Sequence, residues 1–336
     1  MNFSTITAGL DLKSSTRLET IGRRATKTWQ SVGPLVMFAA LFATVAVLTP
    51  SFVGSGGFNI VASNAAPILL VALGQALVLN IGSIDLSNAS ITLLGAILLA
   101  MMLGPIGASS PFLLLAIVTL FGAVNGFIVA FTQVPSFALT LGTFGIFQSA
   151  ALVVSGATTV YVTANGDGVS ALYFNNLLGV PYTFVLGVVF AVLAWLFLRF
   201  TKAGQGMTAI GKNESGAIFS GIRTRWLKVA AFAASGFMAG LAGITIIAQA
   251  SCASPTGLGS DLLLPGITAA IVGGTSISGG TTNPINIVFG ALTVALVPIA
   301  TASIGIEAQA QNLVYGVVII IIVALTLSRS KNSIVK

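Results

Sequence analysis

RFTKAGQGMTAIGKNESGAIFSGIRTRWLK, residues 199–228, interrupts a chain that is otherwise almost free of charge. It holds six of the 14 lysines and arginines; Lys13 to Lys27 holds five, Arg329 to Lys336 holds three, and nothing basic lies between these clusters. Basic residues that flank membrane spans are retained on the cytoplasmic side. Both tails and the 199–228 loop therefore face the cytoplasm, which demands an even number of crossings on each side of the loop. The stretch 28–198 carries only Asp85 and Asp167, and at about 20 residues per crossing it has room for roughly six spans. The stretch 229–328, with only Asp261 and Glu307, has room for roughly four more.

The expected fold is thus an all-α polytopic membrane protein with about ten transmembrane helices and both the N- and C-termini cytoplasmic. The spans are predicted near 31–49, 60–81, 88–104, 111–132, 136–154, 182–200, 227–250, 262–276, 284–302 and 310–328. The second and eighth are the weakest, because glycine and polar residues interrupt them. Residues 1–30 read as a cytoplasmic tail, since they lack the short apolar core and cleavage site of a secretory signal. Residues 31–328 read as one membrane domain containing the 199–228 loop, and 329–336 as a second cytoplasmic tail. Asp167, Asp261 and Glu307 fall in connections on the opposite side. The longest of these, 155–181, contains NGDG and several aromatics and is expected to form a structured cap or a short amphipathic helix.

Composition excludes much else. Of 336 residues, 56% are hydrophobic and 6% charged, with a mean hydropathy of +1.03, whereas a soluble domain is about 25% charged. There is no histidine and only one cysteine, Cys252. The commonest general base and the commonest transition-metal ligand are missing, and a disulfide framework is impossible. No GxxxxGK[ST] phosphate loop occurs, so the chain is not expected to bind ATP, metal or any cofactor itself. The basic excess is a topology signal and implies a lipid bilayer, not nucleic acid, as its partner.

Thirty-eight glycines suit helices that pack by close backbone approach. Gly236, Gly240 and Gly243, spaced four and three apart, are predicted to do so along one span. Three polar stretches separate apolar runs: IGSIDLSNAS (81–90), VPSFALTLGT (134–143) and VGGTSISGGTTNP (272–284). Non-helical backbone at membrane depth survives only where protein buries it or water lines it. Each stretch is therefore either a tight turn or part of a translocation path. Asp85 reads as a helix cap ahead of an apolar helix beginning at Ala89, with a proton or ion role as the alternative. Within 199–228, Asn213 is a good N-cap, Glu214 and Ser215 fill a first turn, and Gly221 is a left-handed stop. Ala217, Ile218 and Ile222 supply apolar contacts. A helix of seven or eight residues is too short to stand alone, so the chain's own spans or a second protein must hold it.

At this loop the sequence resembles the membrane permease subunits of ribose-type bacterial ATP-binding cassette sugar importers, within the superfamily of the branched-chain amino-acid permeases. AIGKNESGAIFSGI (209–222) resembles their coupling segment through Gly211, Asn213, Ala217, Ser220, Gly221 and Ile222. IGSIDLS (81–87) resembles a Gly-Ile-Asp-Leu-Ser element, PSFALTLGT (135–143) a Pro-Ser-Phe…Thr-Leu-Gly-Thr element, and GGTSISGG (273–280) a Gly-Gly-Thr-Ser…Gly-Gly element. Ser83, Asn88-Ala89, Gly216 and Thr282 depart from the usual residues.

The resemblance implies a type II ABC importer-like permease in the bacterial cytoplasmic (inner) membrane. It implies a homodimer, or a closely related heterodimer, with the pathway between the subunits. A separate cytoplasmic ATPase holds ATP and Mg, and an extracytoplasmic binding protein delivers a sugar. Gly211, Asn213, Glu214, Ser215, Ala217, Ser220, Gly221 and Ile222 would then couple to the ATPase. Asp85, Ser87, Pro135, Ser136, Phe137, Thr140, Gly142, Thr143, Gly273, Gly274, Thr275, Ser276, Gly279 and Gly280 would form the pathway or its gate. Two alternatives stand beside this: an ion-coupled secondary transporter of a small neutral solute, and an ABC permease for a nucleoside or amino acid. An intramembrane enzyme lacks its acid/base equipment.

Overall fold

The computed structural model describes residues 32–53, 56–256 and 261–305, with 307, 310, 313–317 and 320 beyond them. Both predicted tails, and most of the tenth predicted segment, lie outside the described residues. The apolar runs become helices α1 (Val32–Leu48), α2 (Gly57–Asn80), α3 (Ser87–Ile106), α4 (Ser110–Thr132) and α5 (Ser136–Val154). A short α6 (Asp167–Phe174) precedes α7 (Tyr182–Phe200). The basic loop holds α8 (Lys202–Lys212) and α9 (Glu214–Phe219). The chain continues through α10 (Thr224–Ala250), α11 (Leu263–Val272) and α12 (Pro284–Ser303).

Among the described residues six helical runs are long and apolar enough to cross a bilayer. One of them, 87–132, is a hairpin. The Ser110 hydroxyl donates to the Met102 carbonyl at 2.9 Å, whereas residues eight apart on a continuous helix would be about 12 Å apart. Gly107, at φ 71°, makes the reversal between α3 and α4. Two-residue strands decorate the helices: β1 (Val160–Tyr161) pairs antiparallel with β4 (Cys252–Ala253), and β2 (Asn176–Leu177) with β3 (Val180–Pro181). With α6, they form the cap expected over 155–181.

α2 and α10 make the centre, packed on each other, with α3 and α4 against α10 and α7, α11 and α12 against α2. Close approach is built from glycine. A Cβ on Gly236 would strike the Val118 carbonyl and Gly122 of α4, one on Gly240 would strike Val118 and Leu115, and one on Gly243 would strike Thr92 and Ala96 of α3. The predicted packing stripe is therefore real, shared between two neighbours.

Four expectations need correction. α2, predicted weak, is an unbroken helix buried along most of its length, including Ser63, Gln75 and Asn80. Its polar residues mark a helix enclosed by protein on every side instead of one facing lipid. The helix after Asp85 starts at Ser87, not Ala89. The polar stretch 134–143, read as a turn or path element, is helical from Ser136, where the predicted span 136–154 begins as α5, and only residues 133–135 connect it to α4. The basic loop holds two helices, and the one after Asn213 has six residues. The eighth segment is indeed short: α11, at ten residues, is about 15 Å long, half the hydrocarbon thickness.

Candidate functional site

Three of the four motif stretches meet backbone to backbone. α2 ends at Asn80, and the last carbonyls of a helix lack intrahelical partners. Asn80's carbonyl is taken by the Gly280 N–H at 2.9 Å, and its side-chain Nδ2 donates to Thr208 Oγ1 of α8 at 3.1 Å. A Cβ on Gly211 would collide with the Asn80 carbonyl oxygen and the Gly280 nitrogen. One on Gly279 would lie 2.9 Å from both the Gly211 oxygen and the Gly82 Cα. Gly82, Gly279 and Gly280 also hold φ of 76°, 89° and 75°, a region open to glycine and costly to others. The α2–α3 turn, the end of α8 and the α11–α12 connection thus form one glycine junction. That connection is tight: Ser276 N–H donates to the Thr281 carbonyl at 3.0 Å, and the Thr275 and Thr282 hydroxyls pair at 2.8 Å.

A second, polar knot surrounds Asp85. Oδ1 accepts the Ser87 hydroxyl at 2.6 Å and the Ser87 N–H at 3.1 Å, and Oδ2 accepts the Ser235 hydroxyl of α10 at 2.8 Å. Asn88 Nδ2 donates to the Ser235 carbonyl and hydroxyl at 3.1 and 2.6 Å. Asn125 Nδ2 of α4 bridges Ser87 Oγ at 2.8 Å and Thr143 Oγ1 of α5 at 3.1 Å. Two N–H groups of the turn are met by α5: Ile84 N–H donates to Ser136 Oγ at 3.0 Å and Leu86 N–H to Thr140 Oγ1 at 3.1 Å. Asp85, Ser87, Asn88, Asn125, Thr140 and Ser235 are all buried. Ser235 lies three turns into α10, about 16 Å from its start, so the knot is well inside that helix and away from its ends.

Asp85 does not stand at the N-cap position of α3, which is Leu86 with no side-chain cap bond; one residue earlier, it accepts the Ser87 N–H and reaches across to α10. Its carboxyl group sits at the positive end of the α3 dipole, and each of its oxygens accepts at least one donor. The arrangement clamps α3, α4, α5 and α10 together, and Asn88 Oδ1 stays buried in it without a hydrogen-bond partner among the described residues.

The third feature is α9. Asn213 Oδ1 accepts the Gly216 N–H at 3.0 Å, and Gly221 has φ 77°, as expected for cap and stop. Ala217 is buried in one apolar cluster with Met207, Ile210 and Phe232, and Ile222 packs against that cluster. Lys228 Nζ of α10 pairs with Glu214 Oε1 at 2.6 Å. Ile218, expected to pack inward, is 54% exposed, and Phe219 is 92% exposed. Together with Phe131, Ile222, Arg225 and Trp226, Ile218 borders a surface hollow of about 490 Å³. Arg225 lies 5.5 Å from the Phe131 ring centroid.

The residues named for the pathway divide into groups. Gly279 and Gly280 are in the glycine junction, and Asp85, Ser87, Ser136, Thr140 and Thr143 are in the Asp85 knot. Gly273 packs on Ile287 of α12, Gly274 and Thr275 shape the α11–α12 turn with Ser276, and Pro135, Phe137 and Gly142 are exposed. No single surface collects them. The site residues expected from the sequence leave out Asn80, Asn88, Asn125, Thr208, Phe219 and Ser235. The available signal was an amide inside an apolar run, which is retained in a span only when something pairs with it.

Against known proteins, a family model described as branched-chain amino acid transport system / permease component matches residues 57–323. The ribose import permease protein of Haemophilus influenzae is 32% identical over 289 residues, 84% of this chain and 88% of that one. The D-allose transport system permease protein of Escherichia coli is 28% identical over 88% of this chain and 91% of its own length. The autoinducer 2 import system permease protein of Salmonella typhi is 30% identical over 85% and 82%. No solved structure matches.

Proposed function

The chain belongs to the branched-chain amino acid transport system / permease component family, and from that premise we propose that it lines the route of a sugar through an ATP-binding cassette importer. It is a multi-pass protein of the bacterial inner membrane and the permease component of its system. The observation that carries the sugar reading is that relatives aligned over more than four-fifths of the chain are named for ribose import and D-allose transport.

In this reading ten spans place both tails and α8–α9 in the cytoplasm. Two copies enclose the pathway, a binding protein delivers the sugar, and a separate ATPase holds ATP and Mg. Exposed Phe219 and Ile218 enter the ATPase, while Ala217 and the Glu214–Lys228 pair fasten α9 to α8 and α10. ATP-driven movement of α9 then reaches α2 and the α11–α12 connection through the glycine junction, and α3, α4 and α5 through α10 and the Asp85 knot. A rigid body with two arrangements, biased by differential contacts, is all that gating requires. A route poor in charge suits a neutral hydroxylated solute that must be held weakly and released.

The test is reconstitution. The chain alone in proteoliposomes neither hydrolyses ATP nor moves sugar; with its ATPase and binding protein, labelled sugar enters only when ATP is present. Uptake following a proton or sodium gradient without those partners would favour a carrier. Because the family description names branched-chain amino acids, leucine belongs among the solutes offered.

A further inference from the structure

A cavity of about 350 Å³ opens between the end of α7 and the α11–α12 connection, away from α9 and from the Asp85 knot. Its wall is Trp195 and Arg199 on one side and Thr281, Thr282 and Asn283 on the other, with Thr208 and Gly280 of the glycine junction also lining it. Arg199 is exposed. Its guanidinium lies 5.3 Å from the Trp195 ring centroid and 5.7 Å from that of Phe200. Among the described residues no carboxylate pairs with it; the ion pair there joins Glu214 and Lys228.

The α7 surface beside this cavity is apolar. Val189, Val192, Leu193, Leu196 and Phe200 are exposed on α7 at helical spacing, from 39% to 65%, and form a stripe running down the span to the cation. An unpaired arginine stacked on an interfacial tryptophan, next to hydroxyls and at the foot of an apolar stripe, matches an amphiphile with an anionic head. We propose that this cavity binds one anionic phospholipid. Its acyl chains lie along the α7 stripe, its phosphate meets Arg199, and a hydroxylated headgroup such as glycerol reaches Thr281. Bound there, it bridges α7 and the α11–α12 connection beside the glycine junction, so occupancy stiffens the joint through which α8 meets α2. A soluble phosphate shares the headgroup chemistry but gains nothing from the stripe.

Native mass spectrometry of the purified full chain, titrated with palmitoyl-oleoyl phosphatidylglycerol or the matching phosphatidylcholine, tests this. One phosphatidylglycerol per chain is expected in preference to phosphatidylcholine. Arg199→Gln should weaken it about ten-fold, the loss of one charge-assisted contact. Arg199→Lys keeps most of the binding, Thr281→Val weakens it less than Arg199→Gln, and Lys202→Gln, a neighbouring exposed cation, leaves it unchanged. Equal binding of the two lipids, or equal loss in Arg199→Gln and Lys202→Gln, would overturn the proposal in favour of a diffuse basic surface. Displacement of the lipid by millimolar inorganic phosphate would overturn the lipid assignment. Absence of any bound lipid, with the stripe covered by a second copy, would overturn it as well.

Discussion

At Asp85 the two carboxylate oxygens serve different neighbours, Oδ1 the Ser87 amide and hydroxyl and Oδ2 the Ser235 hydroxyl. Asp85→Asn replaces one acceptor by a donor facing donors, and leaving buried groups unsatisfied costs about 1–3 kcal/mol. Thermal denaturation in detergent should show that loss, with Ser235→Ala costing less and the double variant less than the sum, because the two share one bond. Gly211 and Gly142 make a matched contrast. A methyl at Gly211 meets backbone on two sides, which cannot rotate away, so Gly211→Ala should destabilise by about 1–3 kcal/mol. At Gly142 nothing lies within 4 Å, and Gly142→Ala should be neutral or stabilise α5 by up to about 1 kcal/mol. Equal melting shifts for both would refute the junction. The glycines were readable as a motif, but which of them touches backbone was not, since a close approach belongs to a pair of segments.

α9 is the element whose ends were most legible, because a cap and a left-handed stop act within a few residues. Asn213→Ala removes the acceptor for the Gly216 N–H and should cost about 1 kcal/mol of local stability. Hydrogen exchange over residues 214–219 would report it as faster opening, and unchanged exchange would deny the cap. Phe219→Ala separates docking from stability. A side chain that exposed should leave the melting point within about 0.5 kcal/mol of the parent while transport-coupled ATP hydrolysis falls in the assembled importer. Retained coupling would remove Phe219 from the ATPase contact. The Glu214–Lys228 pair is half in water, its side chains 44% and 18% exposed, and contributes at most about 1 kcal/mol. The faces of α9 were harder to read than its ends. Ile218 points out and Ala217 in, a choice made by Met207, Ile210 and Phe232 on elements nothing local identifies.

For the whole molecule the first test is sidedness. With Cys252→Ser as background, Lys212→Cys should react with an impermeant maleimide only when the cytoplasmic face is open, and Asn176→Cys, in the β2–β3 hairpin, only from outside; labelling of both from one side would refute the arrangement. The apolar runs, their boundaries to within a few residues from α3 to α12, and the weakness of the eighth segment all followed from the residue order. Transfer of apolar side chains into lipid and the retention of basic ones are properties of a segment by itself. Burial order was not accessible that way, since lipid and a protein interior are equally apolar, so α2 looked weak where it is most enclosed. The pairing of Asp85 with Ser235, 150 residues apart, and the seating of Gly211 on Asn80 were decided only by the tertiary structure. A hydrogen bond or a backbone contact needs two partners at a set distance, and nothing along one segment encodes which distant segment will supply the other.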